Sequence, residues 1–165
     1  MDEYTTKYFG TIVIDETSGF EYIDVKYKDK EINVSLSDCN KYGDKIKVCL
    51  DIMDKYIEIN EIAKKAIIEN YSKNKIIMEY FKDHFDDYGF GEERIFEIFG
   101  VKTFDEFNIK KTVENLDYPD LLFSIEENSE INFSVDYKVS KEYSDEILCV
   151  KMDEKLNITG FSHES

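Results

Sequence analysis

The sequence predicts a single α+β domain, because strand-type spacing fills both ends of the chain and helix-type spacing fills its middle. The length of 165 residues fits one domain. Hydrophobic residues make up 42% of the chain and include 12 tyrosines and 12 phenylalanines, which suffices for a sizeable core. This aromatic content also argues against disorder, although the chain is highly charged.

Alternating apolar and polar residues in the first forty positions predict an antiparallel β-meander. Ile12 and Ile14 form the apolar side of one strand, and Ile23 and Val25 form that of the next. A third alternating strand covers residues 31–36. Because only one side of each strand is apolar, we expect the other face of this meander to be exposed to water.

Helical spacing over residues 46–84 predicts two or three packed helices, since one continuous helix of that length is unusual in a globular protein. We expect the breaks near Asn60 and Asn74. A loop with two glycines follows, and then a short helix over residues 92–99. A Thr-x-x-Glu capping box at residues 103–106 predicts one more short helix.

The two-residue period returns near the C-terminus and predicts three further strands. Residues 131–139 alternate between apolar and polar side chains. Residues 147–152 are apolar on both faces except for one lysine, which is typical of an interior strand, and residues 156–161 form the last strand. We expect these C-terminal antiparallel strands to share one sheet with the N-terminal strands.

Negative charge is the strongest compositional signal. The chain holds 37 acidic and 21 basic residues, a formal net charge of −16. Such a charge disfavours nucleic acid and anionic membranes as partners and favours a basic protein. Residues 1–82 carry a net −3, residues 83–97 carry −5, residues 98–113 carry +1 and residues 114–165 carry −9. The excess therefore lies in one short segment and in the C-terminal region.

No motif indicates catalysis, a metal or a cofactor. His84 and His163 lie 79 positions apart in the sequence, and neither has a neighbouring cysteine, so no metal site is indicated. Cys39, Cys49 and Cys149 lack metal-type spacing, and glycine-rich phosphate loops are missing. We assign no catalytic, cofactor-binding or metal-binding residue and favour a protein without catalytic activity. A small hydrolase that uses carboxylates or a thiol stays open.

The sequence also predicts where in the cell the protein is found. Its first residues lack the basic and apolar regions of a secretion signal, and no apolar run approaches the length of a membrane span. The odd set of cysteines fits reduced thiols. We therefore expect a cytoplasmic protein that does not associate with membranes.

One segment combines acidic side chains with aromatic residues on a predicted loop and helix. Acids steer a basic protein towards a surface, and aromatic side chains hold it there. The alternative is a solvated loop whose acids serve solubility, as they would in a housekeeping protein of unknown role. The candidate protein-binding residues are Asp83, Asp86, Asp87, Tyr88, Phe90, Glu92, Glu93 and Glu97.

Residues 113–165 contain a strand-turn-strand pattern that resembles an uncharacterised bacterial family, one of the domains of unknown function. The resemblance rests on Tyr118-Pro119-Asp120, Val135-Asp136-Tyr137, the run over residues 144–153 and the closing His163-Glu164-Ser165. Small acidic proteins of this kind are often met among the immunity proteins of toxin systems. The resemblance implies an immunity protein that neutralises a basic toxin, and it transfers no catalytic residue.

Overall fold

A computed structural model describes residues 1–39 and 43–165 and confirms the predicted α+β class. The capping box predicted to open a short helix leads only to a 3₁₀ turn over Phe104–Glu106, because Thr103 makes no side-chain hydrogen bond to the backbone there. The next helix begins at Ile109. The strands are β1 (Asp2–Thr6), β2 (Gly10–Ile14), β3 (Phe20–Tyr27), β4 (Lys30–Ser37), β5 (Asp120–Ile125), β6 (Ile131–Tyr137), β7 (Ile147–Asp153) and β8 (Ile158–Glu164). The helices are α1 (Gly43–Met53), α2 (Tyr56–Asn70), α3 (Lys75–Asp86), α4 (Glu92–Phe99) and α5 (Ile109–Glu114). None of the helices in the described part of the chain is long and apolar enough to cross a membrane.

Six strands form one mixed sheet in the order β3-β4-β5-β6-β7-β8, and β1 pairs with β2 in a separate hairpin. All neighbours are antiparallel except β4 and β5, which are parallel. All five helices lie in the long crossover that parallel pairing requires. The predicted meander is instead two hairpins, because β2 pairs with β1, a strand that the alternation did not predict, and β3 pairs with β4. At their junction the backbone N–H of Asp15 donates to the Glu21 carboxylate instead of to a strand.

The helices cover one face of the sheet, and buried tyrosines join the two layers. Tyr137 from β6 donates to the side-chain oxygen of Asn60 in α2 at 2.6 Å. The predicted break near Asn60 is wrong, since this bond satisfies a polar residue inside the helix. The break instead falls at residues 54–55. The break near Asn74 is confirmed, because that side chain accepts the first free N–H groups of α3.

Within residues 1–39 and 43–165, no helix covers the other face of the sheet, which carries polar side chains, as the alternation predicts, together with the exposed Tyr22 and Leu122. Ser35, Ser134 and Lys151 lie on this face of β4, β6 and β7, and alternate with buried apolar residues on the helix side. Strand β7 lies between β6 and β8, which confirms the predicted interior strand. Strand β8 begins two residues later than predicted and ends the sheet. The molecule therefore presents an uncovered sheet face and an edge strand formed by β8.

Candidate protein-binding face

The candidate residues lie on the end of α3, on the following loop and on α4. The side chains of Asp86, Asp87, Glu92, Glu93 and Glu97 are exposed. Asp83, Tyr88 and Phe90 are half-buried. Two glycines in the loop allow the chain to reverse, and Gly89 has a φ of +69° that other residues rarely adopt. The loop thus brings the acids of α3 and α4 to the same end of the molecule.

A buried histidine connects this segment to the C-terminal region. His84 Nδ1 lies 2.7 Å from the Tyr80 carbonyl, and its Nε2 lies 2.8 Å from Ser144 Oγ. Because a carbonyl can only accept, Nδ1 carries the proton and Nε2 accepts from the Ser144 hydroxyl. Burial lowers the pKa of His84, which favours this neutral form. The side chain therefore ties α3 to the loop between β6 and β7.

The aromatic residues predicted as anchors pack largely against that histidine. The ring centroids of Tyr88 and Phe90 lie 4.8 Å and 6.1 Å from that of His84. The exposed aromatic side chain of the segment is Phe96, which is 53% exposed on α4. Sequence reasoning assigned most phenylalanines to the core and missed it. The available signal was its position, since Phe96 lies outside the i, i+4 stripe formed by Ile95 and Phe99.

A second connection joins the loop to the edge strand β8. The hydroxyl of Tyr88 lies 3.3 Å from His163 Nε2, and the same nitrogen lies 2.6 Å from a carboxylate oxygen of Glu146. Burial, with the nearby charges of Glu146 and Asp83, raises the pKa of Tyr88 to about 12. Asp83 and Glu146, which belong to the two acidic segments, are therefore both close enough to raise the pKa of the Tyr88 hydroxyl.

A third connection is formed by Arg94, the single arginine of the chain. Its guanidinium lies 3.4 Å above the ring of Tyr143 and 3.6 Å from the carboxylate of Glu97. Two shallow cavities, of about 340 Å³ and 310 Å³, adjoin these groups, and Glu97 lines both. Segments that are separated in sequence thus meet on one surface.

We call this surface the acidic face. Asp86, Glu97 and Asp145 have basic neighbours in exposed ion pairs, which contribute little. Partial burial, with the nearby charge of Asp87, raises the pKa of Asp83, and within the described residues Asp87 has no ion pair. The fold therefore holds like charges close together here. The acidic face comprises Asp83, Asp86, Asp87, Glu92, Glu93, Glu97, Glu142, Asp145 and Glu146.

An enzyme would need a concave site with reactive groups directed into it. A groove of about 370 Å³ lies on the uncovered sheet face. Burial raises the pKa of Asp136 on β6, but that residue is not among those that line the groove. The lining of the groove therefore does not include Asp136, the carboxyl group whose pKa is raised. Its lining residues are Leu122, Ser124, Glu126, Asn132, Phe133, Ser134, Lys151, Thr159 and Glu164.

The nucleophiles are similarly inaccessible. Cys39, Cys49 and Cys149 are free and buried, and burial raises the pKa of the Cys149 thiol. Ser144 and His84 have the hydrogen bond of an activated serine, but they are only 6% and 0% exposed. Over residues 1–39 and 43–165, no group of three or more metal-ligating side chains is arranged to hold an ion. The pair of Ser144 and His84 therefore acts as a structural joint.

Comparisons of the chain with protein-family models, with curated proteins and with solved structures found no match. The resemblance of residues 113–165 to an immunity-protein family therefore stays a prediction.

Proposed function

We propose that this protein is a non-catalytic binding module that recognises a basic protein through the acidic face. The observation that carries the proposal is the junction of two acidic segments by His84, Arg94 and Tyr88. Neutralising a basic surface and covering it with aromatic and apolar contacts would block what that surface does. The role that fits this mode of action is that of an immunity protein for a basic toxin.

The repulsion between neighbouring acids in the acidic face favours a role in binding over a role in solubility. Acids that serve solubility act equally well when they are spread over the surface. Here Asp83 and Asp87 lie one helical turn apart, and like charges at that spacing destabilise a helix by about 0.2–0.5 kcal/mol. The exposed ring of Phe96 on the same helix as Glu92 and Glu93 adds an apolar contact point.

The direct test is co-purification and calorimetry with the product of the neighbouring gene. We expect binding that weakens as ionic strength rises from about 0.05 M to about 0.5 M, because exposed charges are screened. Changing Asp86, Asp87, Glu92 and Glu93 to serine should weaken binding at least about tenfold. Salt-insensitive binding, or unchanged affinity in this variant, would refute the proposal.

A matched variant separates the acidic face from net charge alone. The exposed residues Asp24, Asp51, Glu58 and Glu61 lie elsewhere, and changing them to serine alters the net charge by the same amount. We expect this control to keep most of the affinity. Equal losses in both variants would show that only overall charge matters.

Phe96 offers a test of the apolar contribution. Replacing it by alanine should weaken binding by about tenfold if the ring enters the partner's surface. Phe20 on β3 has a similar exposure of 46% and serves as the control. An equal effect of F96A and F20A would contradict a specific role of α4.

A further inference from the structure

The edge strand β8 offers unpaired backbone groups beside the acidic face. It pairs with β7 on one side and ends the six-stranded sheet on the other. Throughout residues 1–39 and 43–165, no hydrogen bond from another element reaches the outward backbone groups of Ile158–Glu164. Seven residues extend over about 23 Å. Such an edge is a template for one more strand.

The opposite edge of the sheet is protected. Strand β3 carries the charged residues Glu21, Asp24 and Lys26, which discourage pairing. The Ser18 hydroxyl donates to the Phe20 carbonyl, and the carboxylate of Glu21 accepts from the end of the β1–β2 hairpin. Strand β8 contains no lysine, arginine or proline. Strand β8 has one such device, a β-bulge at Thr159, and its pairing with β7 is regular over Gly160–Glu164. The β8 edge is therefore less protected than the β3 edge, and it is open to strand addition beyond the bulge.

The charges around β8 select its partner. His163 on this strand contacts Glu146 and Tyr88, and it lies near enough to Asp83 of α3 to act on the charge of that carboxylate. Glu164 adds a further acid and accepts from Ser162 on the same strand. An added strand would therefore lie against acids at the C-terminal end of β8. A second copy of this chain paired in parallel would bring these acids against each other, which is unfavourable. A copy paired antiparallel would place the two acidic ends apart and gain no charge complementarity, whereas a basic segment gains it in either direction.

We propose that the basic partner contributes an extended, lysine- or arginine-containing segment that pairs with β8 as a seventh strand. This proposal rests on the proposed function and specifies how the partner binds. Backbone hydrogen bonds supply affinity that does not depend on sequence, and the alternating basic side chains supply specificity for the acidic face.

The test uses a ten-residue peptide in which lysine alternates with valine, followed by amide NMR spectroscopy. We expect peptide binding to shift and protect the amides of residues 158–164. Methylating every backbone nitrogen in the centre of the peptide blocks both bonding edges but keeps the charge, and should weaken binding at least about tenfold. Methylating alternate nitrogens leaves one edge free, and this control peptide should retain binding.

Variants of the chain supply an independent readout. Thr159 on β8 and Thr11 on β2 are both exposed strand residues. T159K places a positive charge on the edge and should weaken peptide binding several-fold, whereas T11K should leave it unchanged.

The outcomes separate this proposal from the proposed function. If both methylated peptides bind equally and the β8 amides do not respond, strand addition is refuted while recognition by the acidic face stands. If the partner's affinity ignores the four-serine variant, the proposed function fails. Absence of peptide binding, or dimerisation through β8, would also refute strand addition.

Discussion

The two edges of the six-stranded sheet differ in charge and in cover. At the β3 edge, the strand carries two acids and one lysine, and a hairpin is attached through Glu21. At the β8 edge, acidic side chains outnumber basic ones on α3, on α4 and on the loop that carries Ser144. Since residues 1–82 carry only −3 and the remainder carries most of the charge, the difference begins in the sequence. The comparison shows that acids concentrated after residue 82 supply the acidic face, while other acids of the same region, such as Glu126 and Glu127 between β5 and β6, lie elsewhere.

The largest effect is expected from removing His84, which ties α3 to the loop between β6 and β7 beside the β8 edge. Changing His84 to alanine deletes its bonds to Tyr80 and Ser144 and its ring contacts with Tyr88 and Phe90. We expect a loss of about 3 kcal/mol in the free energy of unfolding, measured with urea. Hydrogen exchange should accelerate at the acidic face and stay unchanged at β3.

A control for this variant is Glu79→Ala on the same helix. Glu79 forms an exposed ion pair with Lys75, so its removal should change stability by less than about 0.5 kcal/mol. Accelerated exchange at both edges of the sheet after H84A would contradict a local role for His84.

Lowering the pH should weaken the stabilisation that the buried, neutral His84 provides. Burial lowers the folded-state pKa of His84 below its usual value of about 6.5. The neutral histidine therefore stabilises the protein fully above that value, and this contribution is lost as pH falls towards the folded-state pKa. We expect the unfolding free energy to fall between about pH 7 and pH 5, and to fall less in H84Q. Parallel curves for the two proteins would contradict this assignment.

A moderate effect is expected on the uncovered sheet face between the two edges. Burial raises the pKa of Asp136, so its contribution to stability is present at low pH and is lost as pH rises through the folded-state value. Asp136→Asn should raise the unfolding free energy by about 1 kcal/mol at pH 7 and by less at pH 4. The exposed Asp24→Asn on β3 is the control, and a destabilised D136N would contradict the assignment.

The smallest effect concerns repulsion within the acidic face. Asp87→Asn should stabilise the protein by about 0.3 kcal/mol, because Asp83 loses a like-charged neighbour. NMR titration should show the Asp83 pKa moving down towards its usual value. The exposed Asp51→Asn on α1 serves as the control. An unchanged Asp83 pKa would show that burial alone raises it.

Local patterns in the sequence were sufficient for most elements. Period-two alternation located the described strands other than β1 and β5, and α4 has the bounds expected from its helical spacing. Another prediction fails because a distant partner changes a local preference. Asn60 resembles a helix break by itself, but Tyr137 arrives from β6 and satisfies its side chain within α2.

The residues of the acidic face were likewise predicted only in part. Its acids were found by counting charges along the chain, because charge is visible in composition. The roles of Tyr88 and Phe96 were not found, since both depend on what covers each ring. Tyr88 packs on His84, while Phe96 stays exposed on a helix whose apolar stripe passes beside it.

The sequence by itself determined the α+β class, the positions of the described strands other than β1 and β5, and the segments that hold the excess acid. These follow from periodicity and composition, which act within a few residues. Only the tertiary structure decided that His84 and Ser144, 60 positions apart, join the two acidic segments, and that β8 becomes an uncovered edge beside them. The physical reason is that strand pairing and side-chain packing bring together residues far apart in the sequence. No local sequence pattern indicates which of them will be in contact.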